Sequence, residues 1–330
     1  MNAFNEKTDV VASGHPMTRA EFLRLALRLA GGCAAGGLLA PVQFAFGAAD
    51  TELGSVLRRA IPSSGQLLPV IGAGTAVVFD IDPGDAKFVM LVETMRTFLS
   101  QGGAVIDTSP TYGRAEKSVG EIVRRIGGRE RAFLATKIST MGEQAGIDSV
   151  AASMRDLGTD RIDLLQVHNI RDTTVHLRTI RRLQDEGKVR YAGITTSFRS
   201  TYEEYERIMR REKLDFIQID YALDNREAEE RILPLARDRG MAVLINLPFG
   251  RGRLFRKARG QALPSWAGEI DCGSWAQFFL KFVLANPAVT AVIPGTDRPE
   301  YALDNLNAAR GRIPDARMRA QMLAYWDQLG

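Results

Sequence analysis

From about residue 61 onward, short apolar runs alternate along the chain with longer segments whose apolar positions recur every three to four residues. The short runs read as strands at 68–72, 104–107, 133–136, 162–167, 191–195, 216–220, 242–247 and 291–294. The longer ones read as helices at 86–100, 116–126, 147–157, 175–186, 202–211, 228–239, 274–285 and 299–309. Gly127-Gly128, Gly187, Gly240 and Pro287 stand just past four of the helices as stop signals. Eight strands, each followed by a helix, in about 250 residues predict a single-domain α/β fold, a (β/α)8 TIM barrel rather than an open doubly wound sheet. Two pieces fall outside the repeat. Ala60 to Ser64, with Gly65 and Leu68, predict an N-terminal hairpin closing the bottom of the barrel, and 314–329 predict an extra C-terminal helix carrying Tyr325 and Trp326. The connection 250–273 is the longest and is expected to lie over the barrel mouth, since long loops in compact domains are usually functional.

Composition narrows the function mainly by exclusion. The chain has 330 residues, 45% hydrophobic, with a formal charge of +4 and no run of like charges, so nucleic acid is not the expected partner. Its two cysteines, Cys33 and Cys272, cannot form a disulfide framework, and no CxxC or Cys/His cluster offers a metal site. Residues 1–49 differ from the barrel assigned to 50–330. A charged stretch, Met17-Thr18-Arg19-Ala20-Glu21-Phe22-Leu23-Arg24, precedes an Ala/Gly-rich apolar stretch and the small residues Ala45-Phe46-Gly47-Ala48, the order of an export leader. It resembles a twin-arginine signal, with Ala20 in place of the second arginine and Arg28 inside the apolar part. Export to the periplasm is the expectation and cytoplasmic retention the alternative. A stable membrane span is not expected, because about 20 uncharged apolar residues are needed.

Active sites of such barrels lie at the C-terminal ends of the strands, and three successive strands here end on polar residues. The second ends on Asp107 and turns through Thr108-Ser109-Pro110-Thr111-Tyr112-Gly113; the third ends on Lys137, and the fourth runs into His168. Each alone has a bland reading, as a cap, a turn aromatic, a solvated strand end or a satisfied core histidine. Their joint placement is harder to dismiss, because the chain holds only eight lysines against 35 arginines and only three histidines. A phenol is too weak an acid to protonate a developing alkoxide well, and a buried ammonium beside it would strengthen it. Lys137 can supply that charge, Asp107 can counter it, and a neutral His168 can donate to a carbonyl oxygen. These residues contain no nucleophile triad, so proton delivery to a carbonyl remains, with hydride from a cofactor.

The block Asp107-Thr108-Ser109-Pro110-Thr111-Tyr112-Gly113-Arg114-Ala115-Glu116, with Ala135-Thr136-Lys137 and Asp163-Leu164-Leu165-Gln166-Val167-His168, resembles the aldo-keto reductase signature. The likeness continues through Gly187-Lys188-Val189-Arg190-Tyr191-Ala192-Gly193-Ile194, Gln218-Ile219-Asp220-Tyr221 and Val292-Ile293-Pro294-Gly295-Thr296 to Asn305. The resemblance implies that Asp107, Tyr112, Lys137 and His168 form a catalytic tetrad that reduces an aldehyde or ketone. It implies an NADPH laid over the mouth, with NADH as the alternative, on contacts from Thr195, Thr196, Gln218, Asn246, Pro248, Phe249, Gly250 and Arg253. Gly295, Thr296, Arg298 and Asn305 would take the phosphate and adenine, the anion sitting on a helix N-terminus. Four positions depart from the family pattern: Thr196 for an asparagine, Asn246 for the stacking tyrosine, Gly295 for a lysine and Tyr301 for an arginine. Those departures leave a second reading, a cofactor-binding regulatory protein of the same fold with little turnover.

Overall fold

The computed structural model describes residues 54–329, so the leader-like segment and Cys33 lie outside the described residues. Eight strands form one parallel sheet in chain order: β3 (Ala73–Gly74), β4 (Val105–Asp107), β5 (Phe133–Ile138), β6 (Ile162–Val167), β7 (Val189–Thr195), β8 (Phe216–Asp220), β9 (Ala242–Asn246) and β10 (Ala291–Val292). Parallel bridges Ile71 to Val292 and Gly74 to Gly295 join the two edge strands, so the sheet closes into the expected (β/α)8 barrel. The helices outside it are α1 (Phe88–Ser100), α2 (Ala115–Ile126), α3 (Glu143–Leu157), α4 (Thr173–Asp185), α5 (Tyr202–Arg211), α6 (Ile232–Asp238), α7 (Arg253–Lys257), α8 (Trp275–Leu284) and α9 (Pro299–Asn307). The extra C-terminal helix is α10 (Ala316–Gln328), which Asp315 caps by accepting from the Met318 N–H at 2.7 Å. No helix among the described residues is long and apolar enough to cross a membrane.

Period-two alternation decides what each strand presents. One set of residues, among them Ile106, Leu134, Leu165, Ile194, Ile217 and Val243, packs outward under the helices in the larger core. The other set faces the axis, where Val105, Phe133, Leu164, Tyr191, Phe216, Leu244, Ala291 and Ile293 fill the lower barrel. The predicted bottom hairpin is β1 (Arg58–Ala60) paired antiparallel with β2 (Leu67–Pro69), and its Ile61 and Leu68 belong to that same inner cluster. The barrel is therefore plugged below by the chain's own hairpin and open only above.

Two expectations change. The run predicted as the first strand, 68–72, divides between β2 of the hairpin and the approach to β3. Past the division the backbones close on each other, since a Cβ on Gly72 would stand 3.0 Å from the Val105 carbonyl oxygen and one on Gly74 2.7 Å from that of Ile293. The long connection 250–273 is not a lid. After a short turn it folds into α7 and a 3-10 helix, Ser265–Ile270, that packs Trp266 onto Phe278 and Tyr325, on α8 and α10. Only its first residues reach the mouth.

The hairpin is fastened through Arg59, whose guanidinium donates to the carbonyls of Leu284 at 2.6 Å, Asn286 at 3.2 Å and Val289, across the end of α8 and the approach to β10. Charged hydrogen bonds contribute about 1.5–3 kcal/mol each, less when part of the site stays wet. Replacing Arg59 with Ala is expected to lower the thermal midpoint by roughly 4 °C. An unchanged midpoint in a melting curve would remove the hairpin strap from the account of stability.

Candidate active site

The polar layer sits directly above the apolar plug, on the next inward positions of the same strands. Asp107 ends β4, Lys137 lies two residues beyond inward Ala135 on β5, and Gln166 lies two beyond inward Leu164 on β6. β5 and β6 pair with Lys137 opposite Gln166, which brings both to one level. Lys137 is 1% exposed, and its ammonium donates to Asp107 Oδ1 and to the Thr108 carbonyl, each at 2.7 Å. The other Asp107 oxygen accepts from Gln218 Nε2 at 2.8 Å and Gln166 Nε2 at 3.3 Å, while Thr195 Oγ1 donates to Gln218 Oε1 at 3.0 Å. One carboxylate thus ties four strands together above the plug.

Tyr112 hangs over this network on the loop after β4. Lys137 Nζ lies 5.0 Å from its ring centroid, so the ammonium charge and the phenol act on each other at short range. Burial disfavours the Lys137 charge, but Asp107 and Tyr112 outweigh it and raise its pKa above the ordinary lysine value. The loop carrying Tyr112 turns at Gly113, whose φ is +60° and whose Cβ, if present, would lie 2.3 Å from the Asp80 carboxylate. Asp80 Oδ1 instead accepts from the Arg114 N–H at 2.9 Å, which seats the turn.

His168 completes the group. Its ring meets that of Tyr112 edge-on at 6.0 Å. Burial, with the Lys137 and Arg171 cations adding to it, pushes the imidazole down to about 3, so it is neutral at physiological pH. Nδ1 faces three hydroxyls, Ser139 at 2.6 Å, Ser109 at 3.3 Å and Thr111 at 3.5 Å. The turn holding Ser139 went unread in the sequence because serine one residue past a strand end is ordinary loop chemistry.

A cavity of about 610 Å³ opens above the tetrad, lined by Asp107, Tyr112 and His168 together with Thr195, Gln218, Asn246, Pro248, Phe249 and Gly295. Gly250 and Arg253 line an adjoining recess, and Arg253 is paired with Asp224 at 3.0 Å. Thr196 does not line the cavity: it is fully buried, and its hydroxyl contacts Thr201 Oγ1 at 2.8 Å and accepts from the Phe198 N–H at 3.1 Å. Thr296 and Asn305 join each other at 2.9 Å beside the start of α9, while Arg298, at the helix N-cap, is half exposed over Tyr301. The sequence reading missed the opposite wall, where Thr75, Ala76 and Val77 follow β3 and Ser197 and Phe198 follow β7. Val77, Asn169, Leu247 and Arg251, all on this lining, have φ between +50° and +71°. Left-handed backbone at non-glycine residues is strained, and strain of this kind gathers at functional sites.

A family model described as the Aldo/keto reductase family matches residues 70–322. Aldo-keto reductase YhdN of Bacillus subtilis (strain 168) is 31% identical over 205 residues, which cover 57% of this chain and 60% of that protein, less than two thirds of its length. Methylglyoxal reductase YeaE of Escherichia coli (strain K12) is 28% identical over 243 residues, 71% of this chain and 84% of that protein. A crystal structure of an aldo-keto reductase from Klebsiella pneumoniae in complex with NADPH superposes with a TM-score of 0.69 at 23% identity, covering 82% of this chain and 95% of that one. At that identity the superposition speaks for the fold alone.

The depressed His168 value has a measurable sign. Between about pH 3 and 6.5 the unfolded chain binds a proton at His168 that the folded chain does not, so this residue makes stability rise with pH across that window. In His168→Gln the gap between thermal midpoints at about pH 4.5 and about pH 7 is expected to shrink. An equal gap in both proteins would mean that His168 is not held neutral.

Proposed function

The chain belongs to the aldo/keto reductase family, and on that premise we propose that it is an NADPH-dependent carbonyl reductase in which Tyr112 protonates the oxygen of an aldehyde or ketone. The observation that carries this reading is the donor-only ammonium of Lys137, buried, paired with Asp107 and 5.0 Å from the Tyr112 ring centroid.

The cavity suits an extended nicotinamide cofactor. Asn246 Oδ1 is buried without a partner at its edge, an acceptor suited to a carboxamide N–H. Phe249 gives an apolar wall, and Arg251 has no acidic partner among the described residues. Beyond them the N-terminus of α9 has no side-chain cap, so its free N–H groups, with Thr296 and Arg298, offer a seat for a phosphate. When bound, the cofactor would supply the hydride to the carbonyl carbon.

The protein's part is the proton. With the Lys137 ammonium beside its ring, Tyr112 gives its hydrogen to the substrate oxygen, and the ammonium stabilises the phenolate left behind until solvent returns a proton. The Asp107 carboxylate fixes Lys137 and balances its charge. Neutral His168 presents Nε2, which has no partner among the described residues, to the same oxygen. The apolar plug beneath keeps this layer off bulk water.

For Tyr112→Phe, turnover is expected to fall by two to four orders of magnitude, roughly the span of general acid catalysis, with NADPH affinity little changed. All three tryptophans, Trp266, Trp275 and Trp326, lie in one aromatic cluster that reaches Phe249 through Phe255 and Phe279, so a fluorescence titration reads binding directly. Undiminished reduction by the variant would end the proposal. Binding of NADPH by the wild type without its oxidation by any carbonyl would favour the regulatory alternative.

Export is proposed on the leader-like order of residues 1–49. NADPH is not expected free outside the cytoplasm, so a folded route that carries it already bound suits such a reductase. Fractionation of cells making the full chain should find the protein in the periplasm; a wholly cytoplasmic protein would exclude export.

A further inference from the structure

We propose that Ser139 is a positioning residue that holds His168 in the tautomer protonated on Nε2. The proposal rests on the carbonyl-reductase reading, because only that tautomer can donate to a substrate oxygen.

A neutral imidazole carries one proton, and its place is set by what the other nitrogen meets. Here Nδ1 lies 2.6 Å from Ser139 Oγ, well inside the distances to Ser109 and Thr111. Those two hydroxyls lie 2.9 Å from each other, and the Thr111 N–H donates to Ser109 Oγ at 3.3 Å, so they form a pair of their own. Ser139 Oγ has no partner but Nδ1 among the described residues. Its hydrogen therefore has one acceptor in reach, and Nδ1 in that role leaves the ring proton on Nε2. The opposite arrangement would make Ser139 Oγ accept from Nδ1–H, leave the Ser139 hydrogen without an acceptor among the described residues, and turn a lone pair toward the substrate oxygen, which would repel it.

The turn bearing Ser139 is held in place from several sides. Arg171 donates to the Ser139 carbonyl at 3.3 Å, the Gly142 N–H donates to Asp172 at 2.8 Å, and His176 Nε2 meets the Thr140 carbonyl at 2.8 Å. Arg171 and Asp172 belong to the segment that follows His168 itself, so the hydroxyl and the ring are fixed to a shared frame. The motif placed His168 at the mouth but left its proton unassigned. Ser139 supplies that assignment.

The direct test is a long-range proton–nitrogen correlation spectrum of protein labelled with 15N-histidine, His168 being identified by its loss in His168→Gln. The wild type is expected to show an unprotonated Nδ1 and a protonated Nε2. Ser139→Ala is expected to show both tautomers and a turnover number lower by roughly tenfold or more, with NADPH binding unchanged, and Ser139→Thr to restore both. A wild-type spectrum with the proton on Nδ1, or an unmixed Nε2 tautomer in Ser139→Ala, would overturn the proposal. Failure of the wild type to reduce any carbonyl would sink the functional reading instead, while the spectrum still decides the tautomer.

Discussion

The upper half of this barrel is organised around one difficulty: a lysine ammonium with essentially no access to water. Lys137 has three hydrogens and no capacity to accept, so whatever surrounds it must present oxygen. Asp107 and the Thr108 carbonyl do so, and the Tyr112 ring centroid lies 5.0 Å away. A buried ion pair gains little over apolar packing by itself, but leaving one partner uncompensated costs about 3–5 kcal/mol. The need to avoid that outcome propagates outward. Asp107 must keep its second oxygen occupied, which draws in Gln166 and Gln218 and, through Gln218, Thr195. The same positive charge helps keep His168 neutral. The whole polar layer is thus a consequence of one desolvated cation.

Below that layer the demands are reversed. Phe133, Tyr191, Phe216 and their neighbours pack without needing polar partners, and the only polar tip among them, Tyr191 Oη, reaches out of the bottom to Ser64 and Gln66 of the hairpin. The plug makes a rigid floor for a polar layer that tolerates no slack. Conformational freedom and strain are left to the loops above, where Val77, Asn169, Leu247 and Arg251 adopt backbone that non-glycine residues avoid.

The fold and the places of Asp107, Lys137 and His168 were legible because they follow from the period-two rule, whereas Tyr112 sits on a loop and was read from the motif. An inward polar residue two places after an inward apolar one, on strand after strand, is visible in the sequence once the strands are placed. The same rule explains Thr196: its neighbour Thr195 faces the axis, so Thr196 faces out, and family analogy alone had put both in the site. Gly295 read as a missing cation, whereas in the fold it bridges to Gly74 at the seam of the barrel. The first strand was blurred because apolar character runs on from the hairpin into the barrel. Ser139 was invisible for a different reason. Its significance lies in a single distance to a nitrogen on another strand's end, and no local pattern encodes it.

The seam has a consequence in time. Ile71 and Val292, and Gly74 and Gly295, are among the most distant pairs in the chain that touch, and both glycines border the mouth or its cavity. A protein made from its N-terminus must hold its early hairpin and first strand unpartnered on one side until more than two hundred further residues have emerged, because closure waits for the last strand. The tetrad's own strands are complete long before that, but the pocket above them is not. The pocket is therefore completed as a single topological event when the last strand joins the first, and any cofactor that needs the closed mouth can join only after it.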